Sequence, residues 1–156
     1  MTAATEKKDI DMRILFLAAM AAWIATPAMA GTVTVQMKNF GGVKPMVFDP
    51  PYVQVKPGDT VVFKATDKGH DARSIAGMLP DGAAAIAGKM GQDVSVTFSK
   101  FGLYGIKCTP HYSMGMVALV KVGDGKANAP AARTSLATLP PLARKAMAAL
   151  MTQAGS

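Results

Sequence analysis

From Thr32 to Val122 the chain is written in short β-branched runs closed by Gly, Pro or Asp, and no other feature limits its fold as strongly. Residues 32–37 (TVTVQM), 52–55 (YVQV), 60–64 (TVVFK), 93–98 (DVSVTF), 104–108 (YGIKC) and 116–122 (MVALVKV) read as strands. Several alternate with period two, as a strand does when one of its faces lies on a core. Between the second and third, Lys56-Pro57-Gly58-Asp59 reads as a turn, because Pro presets φ and Gly permits φ > 0. Strands this short, spaced by such turns, imply an all-β sandwich or barrel. Half the residues are apolar and 17% are charged, a globular composition. A single cysteine allows no internal disulfide, so a packed core must hold the fold.

Two stretches depart from the strand pattern. Ala83 to Ala87, between Pro80-Asp81-Gly82 and Gly88, suggest a short helix within residues 77–91. After a turn and linker at 123–130 (GDGKANAP), residues 131–139 and 141–151 read as helices, and Pro141 suits a first turn. Leu142, Met147, Leu150 and Met151 can share one face, so this tail is expected to pack on the sandwich.

The N-terminus belongs to a different chemistry. Residues 12–30 (MRILFLAAMAAWIATPAMA) join a basic start at Arg13, an apolar run and a small-x-small site at Ala28-Met29-Ala30. That is the pattern of a secretory signal peptide, and the run is too short for a membrane span. Glu6, Asp9 and Asp11 make residues 1–11 acidic for such a leader, so Met12 is the expected start of translation. Residues 1–30 are thus read as signal peptide, and cleavage after Ala30 leaves no membrane span. The removed segment carries as many basic as acidic residues, so the mature chain keeps the net charge of +7. A basic exported protein suits acidic protein partners; export argues against nucleic acid.

Chemistry-bearing residues are scarce beyond residue 30. Cys108, His70 and His111 are the only Cys and His in the chain, and Met114 and Met116 close the stretch CTPHYSMGM. Structural zinc sites usually take more Cys or His, and iron–sulfur clusters need more thiolates. A Cys–His nucleophile pair lacks an evident third orienting group. Two imidazoles, one thiolate and a weak axial thioether are the donor set of an electron-transfer copper site. Thiolate and thioether suit Cu(I), and imidazole suits both oxidation states. A copper oxidase or nitrite reductase would need further histidines for a second copper, so an enzyme is not expected.

These motifs resemble the pseudoazurins, small blue copper proteins of the cupredoxin fold. The resemblance runs from about residue 32 to the end. It rests on Met46-Val47-Phe48, Val55-Lys56-Pro57-Gly58-Asp59-Thr60, Asp67-Lys68-Gly69-His70, YGIKCTPHYSMGM and the C-terminal helices. It implies a cupredoxin-like Greek-key β-sandwich at residues 31–123, with residues 124–156 as a helical extension of the same domain. It also implies one copper ion held by His70, Cys108, His111 and Met116. Met114 stands at the His-x₂-Met spacing of amicyanin-like proteins, whereas Met116 stands at the His-x₄-Met spacing of plastocyanin and pseudoazurin. The whole CTPHYxMGM pattern selects Met116.

One neighbour departs from the family pattern, for Asp71 stands where Asn is usual after the upstream histidine. A carboxylate accepts but cannot donate, so Asp71 is expected to accept from Thr109. Its charge favours Cu(II). Pro110 has no N–H to offer the thiolate. Lys68 and Lys107, beside two of the ligands, are read as part of a positive collar, with Lys38, Lys44 and Lys89 on its rim. Pro45, Met46, Pro110 and Met114 are candidates for an apolar docking patch inside it. The resemblance implies a periplasmic monomer that takes electrons from a donor such as a cytochrome c. Its acceptor would be a nitrite reductase or another reductase of denitrification. The rival readings are a module that stores or delivers copper, for which the methionines are too scattered, and a metal-free structural sandwich.

Overall fold

The computed structural model describes residues 29–156, so the signal-peptide reading falls almost wholly outside it. Eight strands follow one another: β1 (Thr32–Gly41), β2 (Lys44–Asp49), β3 (Tyr52–Val55), β4 (Thr60–Lys64), β5 (Arg73–Ser74), β6 (Val94–Thr97), β7 (Gly102–Lys107) and β8 (Val117–Val122). They form two four-stranded sheets, ordered β2-β1-β4-β6 and β3-β8-β7-β5. The β1/β4 and β3/β8 pairs are parallel, and the other pairs are antiparallel. Two helices, α1 (Ala129–Ser135) and α2 (Pro141–Gln153), complete the chain. Neither sheet closes into a barrel.

The core explains why β7 and β8 read as continuous apolar runs. Tyr104, Ile106 and Cys108 on one face, with Ala118, Val120 and Val122, join the sandwich interior with Val35, Met37, Phe48, Val61 and Phe63. Leu103, Val117 and Leu119 point the other way and meet Ala132, Ala143, Met147, Leu150 and Met151 of the two helices. The alternation is intact, but both faces are buried, so no polar residue marks the period. Phe98 packs edge-on against Tyr104, ring centroids 4.8 Å apart, linking the end of β6 to β7 across the sandwich. Gly105 is required where Met78 crosses β7, because a Cβ there would lie 2.8 Å from the Met78 Cβ.

The outer edge of β7 faces only the two-residue β5, so its remaining backbone groups are paired one by one. Gly105 N–H donates to Met78 O at 2.9 Å, and Ile75 N–H donates to Gly105 O at 2.8 Å. At Leu103 the buried Asn128 side chain takes the place of a strand: its Oδ1 accepts from Leu103 N at 2.7 Å and its Nδ2 donates to Leu103 O at 2.9 Å. The edge is thereby covered, and the start of the helical extension is tied to the strand that leads into Cys108.

Two expectations need correction. Ala83 to Ala87 form no helix: Ser74 N–H donates to Ile86 O at 3.0 Å, Gly88 N–H donates to Ala72 O at 3.0 Å, and Ile86 is buried. A run this short between glycines cannot nucleate a helix, and extended pairing with residues 72–74 satisfies its backbone. Leu142 does not share the buried face of α2; it is 56% exposed, and Ala143 is buried in its stead.

Candidate metal centre

Sheet topology brings the scarce residues together at one end of the sandwich. Cys108 directly follows β7, Met116 directly precedes β8, and the loop between them is short because these strands are antiparallel neighbours. The loop is closed by its own backbone. Cys108 N–H donates to Met116 O at 3.1 Å, and Met116 N–H donates to His111 O at 3.1 Å. Gly115 makes the return turn at φ 91°, a left-handed conformation that favours glycine. His70 arrives from the loop that follows β4, 38 residues before Cys108 in sequence.

Cys108 Sγ lies 3.6 Å from His70 Nδ1 and 3.5 Å from His111 Nδ1. The three donor atoms all lie within 4.8 Å of one another. An ion held in a trigonal plane by bonds of about 2.0–2.3 Å would separate sulfur from nitrogen by roughly 3.7 Å, so the spacing fits a metal of that size. Cys108, His70 and Met116 are buried, and His111 is half-buried. Burial raises the Cys108 pKa, opposed by the Asp71 and His111 backbone amides. A buried thiol with a raised pKa is a poor nucleophile and needs a metal to become a thiolate. Burial, then the charge of His111, lowers the His70 pKa and keeps its imidazole neutral, as a ligand must be.

The surroundings of the three donors are specific. The buried Asp71 carboxylate accepts from Thr109 N–H at 2.6 Å, tying the two donor loops together. Thr109 and Pro110 are exposed over that bond. Sequence reasoning missed Asn39, whose Oδ1 lies 3.0 Å from His70 Nε2. The signal was present: Val33, Val35 and Met37 alternate inward along β1, and Asn39 is the next position of that face.

The proposed docking residues fall into two groups. Met114 is 48% exposed, Pro45 and Pro110 are exposed, and Met46 is half-buried. Met46 and Met114 line the same groove, between the β1–β2 hairpin and α2. Lys44, Lys68 and Lys89 are exposed. Lys107 is half-buried, its ammonium 4.9 Å from the centre of the Tyr112 ring, and Lys38 is paired with Asp49 at 3.0 Å.

Two facing sheets whose one end gathers two imidazole nitrogens and a buried thiol describe a cupredoxin, a small copper-binding β-sandwich. Residues 33–123 match the family model of copper binding proteins of the plastocyanin/azurin family. Pseudoazurin of Methylorubrum extorquens is 50% identical over 123 residues, covering 78% of this chain and 83% of that protein. Pseudoazurin of Paracoccus pantotrophus is 44% identical over 130 residues, covering 83% and 88%. The crystal structure of pseudoazurin from Methylobacterium extorquens AM1 superposes with a TM-score of 0.74 at 48% identity, over 78% of this chain and 98% of that one. The chain therefore belongs to the plastocyanin/azurin family of copper proteins and, within it, to the pseudoazurins. It is a blue copper electron-transfer protein rather than an enzyme; copper is its cofactor and its partners are redox proteins.

Proposed function

We propose that His70, Cys108, His111 and Met116 would together hold one type 1 copper ion. In this reading the chain is a periplasmic one-electron shuttle, donating to a copper nitrite reductase or another reductase of denitrification. The observation that carries the ligand set is the meeting of Cys108 Sγ with two Nδ1 atoms at 3.5 and 3.6 Å in a mostly buried place. Met116 is favoured over Met114 by burial: it belongs to the same core cluster as Cys108, whereas Met114 is about half exposed. Copper bound there supplies a one-electron Cu(II)/Cu(I) couple. The protein's part is to hold the donors still. The two backbone hydrogen bonds that close the loop and the Asp71–Thr109 bond oppose rearrangement when the electron arrives, which keeps transfer fast.

Export accords with the chain's first described residues. Met29 is 93% exposed, so the bond after Ala30 lies open ahead of β1. Gly31 N sits 2.6 Å from Asp59 Oδ1, so cleavage would place a new ammonium against a carboxylate. Sequencing of the periplasmic form is expected to begin at Gly31. Residues 31–156 then fold as one monomeric unit, the helices sharing a core with β7 and β8. No helix among the described residues is long and apolar enough to cross a membrane.

Met114, Pro110, Pro45 and the edge of His111 form the exit face, with Lys68, Lys44 and Lys89 as free charges around it. Lys107 and Lys38 are held by Tyr112 and Asp49 and contribute less freely. Such a face steers acidic partners and lets them go quickly. The decisive experiment is visible absorption of the copper-loaded mature protein: an intense thiolate-to-Cu(II) band is expected, and its absence would favour a copper-delivery module. Stopped-flow transfer to a copper nitrite reductase should slow as salt rises. A salt-independent rate would remove the steering.

A further inference from the structure

We propose that Asn39 is a positioning residue for His70, and that Asp67 holds Asn39 in that place. The inference rests on His70 being a copper ligand, as proposed above. His70 Nδ1 faces Cys108 Sγ at 3.6 Å, so in a neutral ligand imidazole the proton sits on Nε2. Nε2 lies 3.0 Å from Asn39 Oδ1, which can accept that proton's hydrogen bond. The bond selects one tautomer and fixes the ring about its own axis, leaving the Nδ1 lone pair directed at the site. A histidine ligand held in this way keeps both its orientation and its basicity.

Asn39 is in turn held by the loop that carries His70. β1 pairs with β2 at Met37↔Phe48, Lys38↔Val47, Phe40↔Pro45 and Gly41↔Lys44, but Asn39 and Met46, which would face each other, do not pair. The Asn39 N–H, on the side of β1 away from β2, donates to the Asp67 carboxylate, 2.7 Å from Oδ2. Asp67 is itself anchored, since its N–H donates to Met37 O at 3.0 Å. On the opposite strand Met46 takes φ 50°, a conformation no other non-glycine residue among the described ones adopts. The interruption is local. Asp67 thus meets the backbone of β1 twice, at Met37 O and Asn39 N–H, while the asparagine side chain reaches the histidine. Asp67 stands three residues before His70 on the same loop, so the brace joins β1 to the loop that delivers the ligand.

The test uses the mature copper protein and four variants. Asn39→Leu removes the acceptor at similar volume, and Asn39→Asp keeps an acceptor there. In the Cu(I) form of the wild type, proton NMR should show a His70 Nε2–H protected from exchange. Asn39→Leu should lose that signal and weaken Cu(I) binding, measured by chelator competition, by about 10–100-fold. Asn39→Asp should restore both. If Asn39→Leu lowers only the melting temperature, with affinity and ring N–H unchanged, Asn39 is merely structural and the proposal falls. If Asn39→Leu does not fold, Asp67→Ala, which leaves Asn39 in the chain, is read in the same way: weakened Cu(I) binding supports the brace, and unchanged binding overturns it. His70→Ala separates the two levels. A blue band that survives it sinks the ligand assignment, whereas a band lost in His70→Ala alongside an unaffected Asn39→Leu sinks only the brace.

Discussion

Replacing Asn128 with Ala should destabilise the protein without touching the copper centre. The Asn128 amide makes both hydrogen bonds to the Leu103 backbone, at 2.7 and 2.9 Å, and both residues are buried. Alanine leaves a buried N–H and a buried C=O with no partner. Each orphaned group costs about 1–3 kcal/mol, and partial entry of water reduces the sum, so roughly 2–4 kcal/mol is expected. For a domain of this size that lowers Tm by on the order of 10 °C. The assay is thermal unfolding followed by circular dichroism on the copper-free protein, because bound metal raises Tm by mass action and would mask part of the loss. Asn128→Asp keeps the acceptor for Leu103 N–H but sets a second carboxylate oxygen against Leu103 O, so it should not recover the wild-type Tm. The copper-loaded Asn128→Ala protein should keep its visible band, since Leu103 is five positions before Cys108 and faces the helices rather than the sandwich interior. A Tm within about 2 °C of wild type would refute the reasoning, for it would mean that the outer edge of β7 is satisfied equally well by solvent.

Three further predictions concern the site and its frame. Asp71→Asn keeps an acceptor for the Thr109 amide but removes a buried negative charge; voltammetry should show a higher reduction potential, by on the order of 1 kcal/mol or roughly 40 mV. No shift would mean that the charge does not reach the metal. Met116→Leu should change the copper spectrum and potential strongly, while Met114→Leu should leave the spectrum alone and weaken partner docking; the reverse pattern would exchange their roles. The backbone N–H of Lys56, then that of Gly31, holds the Asp59 pKa below its ordinary 3.8, so the stability it contributes is present above that value. It is lost as pH falls through the lowered one, and Asp59→Asn should flatten Tm against pH in that acid range.

Much of the frame was legible because its signals are local. Strand period, Lys56-Pro57-Gly58-Asp59 and the Cys-x₂-His-x₄-Met spacing depend on residues a few positions apart, and the strands at Tyr52–Val55 and Thr60–Lys64 lie where the pattern puts them. Residues 83–87 misled for the complementary reason. Alanine favours helix locally, but the hydrogen bonds from Ser74 N–H to Ile86 and from Gly88 N–H to Ala72 are tertiary and outweigh it. Leu142 misled because the buried face of a helix is chosen by its neighbour, and α2 turns Ala143 inward.

By itself the sequence determined the class of fold and the donor chemistry, because β-branched runs, turn residues and a lone Cys with two His leave few physical alternatives. Tertiary structure decided what no spacing encodes: that Met116 is buried and Met114 is not, that Lys38 spends its charge on Asp49, and that Asn39 meets His70. Each of these depends on which segments the sheets bring side by side, and the distance in space between residues 39 and 70 is set by the packing of whole strands, not by the chain between them.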